Sequence, residues 1–169
     1  MPNHLSILGI IHTAISILAI FAALYALFRS GKIDPAKSGK LYLWLTIVTC
    51  LTGLPIMKTG QPTPGHFLAV IILLILPMAV FAKSIKFFGK AADYIQIGSM
   101  SFTLLLSMIP ATVETLTRLP ISAPLAADAN ASIITTVLGF WTGLFVIGLA
   151  QQLFKLKASK KAEAAQAIT

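Results

Sequence analysis

LSILGIIHTAISILAIFAALYALF (5–28), RSGKIDPAKSGK (29–40) and LYLWLTIVTCLTGLPIM (41–57) are consecutive stretches whose contrast decides the fold. The first is uncharged and apolar over a length that spans a hydrocarbon core of about 30 Å, which takes about 20 helical residues. The second concentrates charge and turn residues, and the third is apolar again. The same alternation continues, with further apolar runs at His66–Phe88, Tyr94–Arg118 and Ala131–Leu156. In hydrocarbon every backbone polar group needs a partner within the protein, and the unbroken apolarity of these runs excludes the dyad pattern of a barrel. The expectation is an all-α protein, a single transmembrane domain (1–169) built as an integral membrane bundle of five transmembrane helices at 5–28, 41–57, 66–88, 94–118 and 131–156.

Composition agrees. The 169 residues are 57% hydrophobic and only 11% charged, with a mean hydropathy of +0.88, whereas about a quarter of the residues in a soluble domain are charged. The net charge of +8 is broken up by apolar runs and forms no stripe that could follow a phosphate backbone, which excludes nucleic acid as a partner. Cys50 is the single cysteine; it has no disulfide or metal-ligating cysteine partner and reads as a packing residue. Met1 to His4 carry no positive cluster, and the first apolar run is longer than a signal-peptide core, so it is expected to persist as a span.

The basic residues set the orientation. One set of alternate gaps holds Arg29, Lys32, Lys37, Lys40, Lys83, Lys86, Lys90, Lys155, Lys157, Lys160 and Lys161, and the other holds only Lys58 and Arg118. The positive-inside rule places the first set in the cytoplasm, the N-terminus outside and the C-terminus inside. The expected location is a bacterial inner (cytoplasmic) membrane, with the lipid bilayer as the first partner. The tail from Ala158 to Thr169 reads as a frayed helical end near anionic lipid.

Helices associate in lipid through small and polar residues. His12, Ser16, Ala19, Ala23 and Ala26 form one such stripe on the first span, and Thr46, Thr49, Cys50 and Gly53 another on the second. The third span has none and is expected to face lipid most. Gly139 and Gly143 in the fifth make a GxxxG pair, suited either to close packing within the chain or to a second subunit. Gln96, Thr103, Ser107 and Glu114 fall on one arc of the fourth span and form a polar seam, beside Pro110, which leaves the Leu106 carbonyl without its helical donor.

Ionisable groups inside spans are candidates for function. Glu114 and Arg118 stand four residues apart, a spacing that suits an ion pair and leaves open a proton-handling or ligand-binding Glu114. His4, His12 and His66 all fall on the outer side. His12 and His66 lie on different helices and are candidate ligands of haem b, or with Glu114 of a divalent metal, with Glu114 and Arg118 as pocket candidates. The alternative has His12 bonded to a neighbouring helix and His66 at a helix start. HExxH, CxxCH and nucleophile-elbow motifs are absent, so no catalysis without a cofactor is expected.

The stretch from His12 through Gly53, with Gly39, Lys40, Leu41 and Tyr42 following a basic turn, resembles an uncharacterised family of bacterial multi-span predicted membrane proteins. Those proteins pair a first-helix His with a later His-Arg-x-x-Gly-Arg-Val-Tyr-like segment. The resemblance covers about a third of the chain. Ala36 and Lys37 stand where the family's His-Arg pair would fall. The resemblance implies a bacterial multi-span membrane protein and no particular activity.

Three readings follow from these residues. The first is a structural or accessory subunit packed against other membrane proteins, or a homo-oligomer, through the Gly139 and Gly143 face. The second is an outer-side haem b electron-transfer protein using His12 and His66. The third is a small proton or solute carrier using the Gln96 to Glu114 seam.

Overall fold

A computed structural model describes residues 6–57 and 60–166; His4, Leu5 and Lys58 lie outside them. The chain is all-α, with helices α1 (Ile7–Ser30), α2 (Lys40–Gly53), α3 (Pro64–Phe81), α4 (Ala92–Leu116) and α5 (Ser132–Gln166). Two 3-10 turns, Ala82–Ser84 and Lys86–Ala91, connect α3 to α4. Four of the helices are long and apolar enough to cross a membrane, which makes lipid the solvent of a multi-pass protein; α2 is apolar but shorter. Two compact units divide at Leu104 and Leu105.

The first unit is built on an α1–α2 hairpin. Ser6 starts α1 by accepting the Gly9 amide on its hydroxyl (3.1 Å), and Gly31 ends it at φ 67°, its amide donating to the Leu27 carbonyl. Only glycine takes that left-handed conformation at no steric cost. The turn is tied by the Ser30 and Ser38 hydroxyls, 2.7 Å apart. At the far end His12 meets Thr52, so α2 runs antiparallel to α1. Ala19, Ala22, Ala23 and Ala26 of α1 are buried, as are Tyr42, Leu43, Thr46 and Cys50 of α2. Small side chains let two helix backbones approach closely, and in lipid that dispersion contact is the main attraction available.

Two polar contacts hold α4 in the same unit. The Gln96 side-chain amide donates to the Ala79 carbonyl (2.8 Å), one of the last-turn carbonyls of α3 that have no helical donor. Lys83 pairs with Asp93 at 2.9 Å and links the 3-10 turn to the first turn of α4.

In the second unit the loop after α4 folds back on the helix end. The Ala126 amide donates to the Leu116 carbonyl (2.9 Å) and the Leu125 amide to the Leu119 carbonyl (3.2 Å). Asp128 then accepts the Asn130 amide and turns the chain into α5.

Three span boundaries differ from expectation. The predicted 41–57 span is a 14-residue helix that stops at Gly53; Leu54 keeps helical dihedrals and its bond to the Cys50 carbonyl, but Pro55 has no N–H to donate to the Leu51 carbonyl and the helix does not continue. The predicted 66–88 span ends at Phe81; the chain passes into 3-10 turns through Gly89, at φ 44°, where the apolar run gives way to lysines. The predicted 131–156 span continues to Gln166. Hydropathy marks the membrane boundary, but Ala, Lys, Glu and Gln are strong helix formers in water, so the helix outlasts its apolar part. The helix with least cover is also not α3: along α5 only Ile134, Gln152 and Leu156 are buried.

Candidate functional site

His12 sits where α1 meets the end of α2. Its Nδ1 lies 3.2 Å from the Thr52 hydroxyl oxygen. The Thr52 hydroxyl proton is already directed to backbone, with the Val48 carbonyl at 2.8 Å and the Thr49 carbonyl at 3.1 Å. Thr52 therefore accepts, His12 Nδ1–H donates, and the neutral ring carries its lone pair on Nε2. A Cβ at Gly53 would come within 3.0 Å of the His12 ring. Glycine at that position lets the imidazole lie directly on the α2 backbone.

His66 has the opposite tautomer. It is the third residue of α3, and its Nδ1 accepts the Thr63 amide at 2.9 Å, completing a capping box in which Thr63 caps the helix. This satisfies amides that a helix start leaves unpaired. An Nδ1 that accepts leaves the neutral ring's proton on Nε2, and that atom is buried with no hydrogen-bond partner. Ligating histidines normally donate through one nitrogen and ligate through the other. His12 donates through Nδ1 to Thr52; His66 presents an N–H and would have to release its cap to ligate. The two rings as folded do not present the paired lone pairs that axial haem ligation requires. Among the described residues no three His, Cys, Asp or Glu side chains gather as a metal site would need.

The seam residues have different surroundings. Gln96 is buried and bonded to Ala79. Thr103 is fully buried; its hydroxyl donates to the Met100 carbonyl (2.8 Å) and lies 3.0 Å from the Tyr42 hydroxyl. With the Thr103 proton used on Met100, Tyr42 is the donor of that bond. Ser107 is half-buried. Glu114 is more than half exposed and ion-paired with Arg118, one helical turn on. Gln96 and Thr103 belong to the first unit, and Ser107, Glu114 and Arg118 to the second.

Gly139 and Gly143 are exposed on α5, and a Cβ built at either meets no atom within 4 Å. A Cβ at Gly148 also meets no atom within 4 Å, but nine residues from Gly139 turn it to the opposite face of the helix, so the open glycine face consists of Gly139 and Gly143.

The polar contact of Tyr42 is not legible in its local sequence. Its hydroxyl can be placed only once α2 and α4 are known to be neighbours, and no local spacing carries that information. Tyr25 and Trp44 were also missed, although aromatic residues near basic span ends are a readable sign of a membrane interface.

Comparison of the chain with protein-family models, curated proteins and solved structures finds no match.

Proposed function

We propose that this chain is a small polytopic protein of the bacterial inner membrane that acts as a structural or accessory subunit, using the Gly139 and Gly143 face of α5 to pack against another membrane protein. The supporting observation is the openness of Gly139 and Gly143 on a helix with only three buried residues in 35. Glycines on a lipid-facing surface offer little side-chain contact to acyl chains, whereas a second helix can approach them to backbone contact. Gln96 and Tyr42 direct their polar atoms at neighbouring helices, which builds a scaffold.

In this reading all five helices cross. The antiparallel α1–α2 hairpin returns the chain to the side on which α1 began, and the lysines put the N-terminus outside and the C-terminus inside.

Purification in mild detergent followed by native-mass analysis tests the proposal. Wild type is expected to migrate with a partner or as an oligomer, and Gly143→Ile to release it. Trp141→Phe, on the opposite face of α5, should leave the assembly intact. A wild-type monomer with no co-purifying membrane protein would overturn the reading.

A further inference from the structure

At the turn joining α1 to α2 an open cleft of about 460 Å³ is lined by Ala22, Tyr25, Lys37, Lys40, Leu41 and Trp44. Its size falls within the range of about 300–1,000 Å³ common for small-ligand sites. Its chemistry is divided by depth. Lys37 and Lys40 stand at the turn, while Trp44 lies about 6 Å further along α2, and Ala22 about 12 Å back along α1 from Ser30. Tyr25 and Trp44 are 60% and 57% exposed, so both aromatic walls face the surroundings of the hairpin.

The charge at the rim is not neutralised by the protein. Asp34 is the acid of this turn, and its carboxylate is occupied by the Ala36 amide at 3.0 Å and by Lys32 at 4.0 Å. Among the described residues neither Lys37 nor Lys40 makes an ion pair. The turn that displays them is also held in place. Ser38 bonds Ser30, and Gly39 packs so closely that a Cβ there would meet the Ile33 side chain at 2.7 Å and the Asp34 carbonyl oxygen at 2.9 Å. A held turn loses little conformational entropy when it binds.

We propose that this cleft binds one anionic phospholipid, with its headgroup phosphate at Lys37 and Lys40 and an acyl chain over Ala22, Leu41 and Trp44. A soluble anion would use the rim alone and leave the apolar wall without a role. A neutral lipid would use the wall and leave two ammonium groups without a counter-charge. An anionic lipid uses both, at the depth where a span end meets the headgroups. The inference requires only that α1 and α2 lie in a membrane, and it stands or falls separately from the packing role of α5.

Trp44 supplies the probe. The full chain carrying Trp141→Phe is placed in phosphatidylcholine vesicles containing a minor fraction of either brominated phosphatidylglycerol or brominated phosphatidylcholine, and Trp44 quenching is recorded. The anionic lipid is expected to quench with roughly thirtyfold higher apparent affinity, as two lysines at a membrane surface warrant. Lys37→Gln with Lys40→Gln should abolish the preference, and Lys86→Gln with Lys90→Gln should leave it. Equal quenching by the two lipids, or a preference that survives the first pair or disappears equally with the second, would overturn the proposal. Loss of the preference on adding millimolar inorganic phosphate at constant ionic strength would assign the rim to a free anion and overturn it as well. Native mass spectrometry of the wild type and the Lys37, Lys40 variant, counting retained phosphatidylglycerol, gives the same contrast should Trp141→Phe fail to fold.

Discussion

The Tyr42 hydroxyl, donated to Thr103 across two helices, is the clearest single-residue link in the first unit. Both residues are fully buried, and Thr103 also spends its own proton on Met100. Interhelical hydrogen bonds in membranes average about 0.6 kcal/mol, with a maximum near 1.7 kcal/mol. A double-mutant cycle of Tyr42→Phe and Thr103→Val, followed by denaturant unfolding in detergent micelles, is therefore expected to give a coupling of about 0.5–1.5 kcal/mol. A coupling indistinguishable from zero would mean that the two hydroxyls contribute independently. The helical arc shared by Gln96 and Thr103 was legible from spacing, and both are buried. What each one bonds was not legible, because Ala79 and Tyr42 are supplied by other helices. The tautomers of His12 and His66 were likewise hidden: each is set by a threonine, and the partner of His12 stands 40 residues away.

For whole elements, hydropathy located each helix but not its ends. Helix α5 passes its apolar limit because its sequence remains helix-forming in water, and α3 stops short where lysines and Gly89 divert the chain into 3-10 turns. The α1–α2 hairpin shows which parts of its small-residue stripes matter most. Ala19, Ala23, Ala26, Thr46 and Cys50 are buried, while Gly53 accommodates the His12 ring. A branched side chain at Gly53 would displace that ring and its bond to Thr52. Gly53→Val is expected to destabilise the hairpin by about 1–3 kcal/mol, the usual cost of overfilling a packed site. His12→Ala in the same chain should recover part of that loss, measured as the thermal midpoint in detergent. If the double variant is less stable than Gly53→Val alone, ring displacement is not the cause.

At the scale of the molecule, the number of crossings depends on α2. Its 14 residues extend about 21 Å, short of a core of about 30 Å. The turn beyond it satisfies backbone groups internally, with the Ile56 amide donating to the Gly53 carbonyl at 3.1 Å and the Met57 amide to the Pro55 carbonyl at 3.0 Å. Irregular backbone at membrane depth requires such internal partners, and modest local thinning of the bilayer can absorb the remaining mismatch. Since α2 runs antiparallel to α1, the segment after Gly53 lies at the opposite end of the hairpin from the lysine-rich turn. Single cysteines in a Cys50→Ala background, treated on intact cells with a membrane-impermeant maleimide, make this measurable. Gln61→Cys and Ser122→Cys are expected to label from outside, and Ala36→Cys, Lys86→Cys and Lys157→Cys only after permeabilisation. Joint labelling of Ala36→Cys and Gln61→Cys would show that α2 dips into the membrane and returns, leaving four crossings. The asymmetry of lysines favours the five-crossing outcome, because four crossings would place the Lys83, Lys86 and Lys90 turn on the opposite side from the Arg29 to Lys40 turn, against the charge bias that orients the chain.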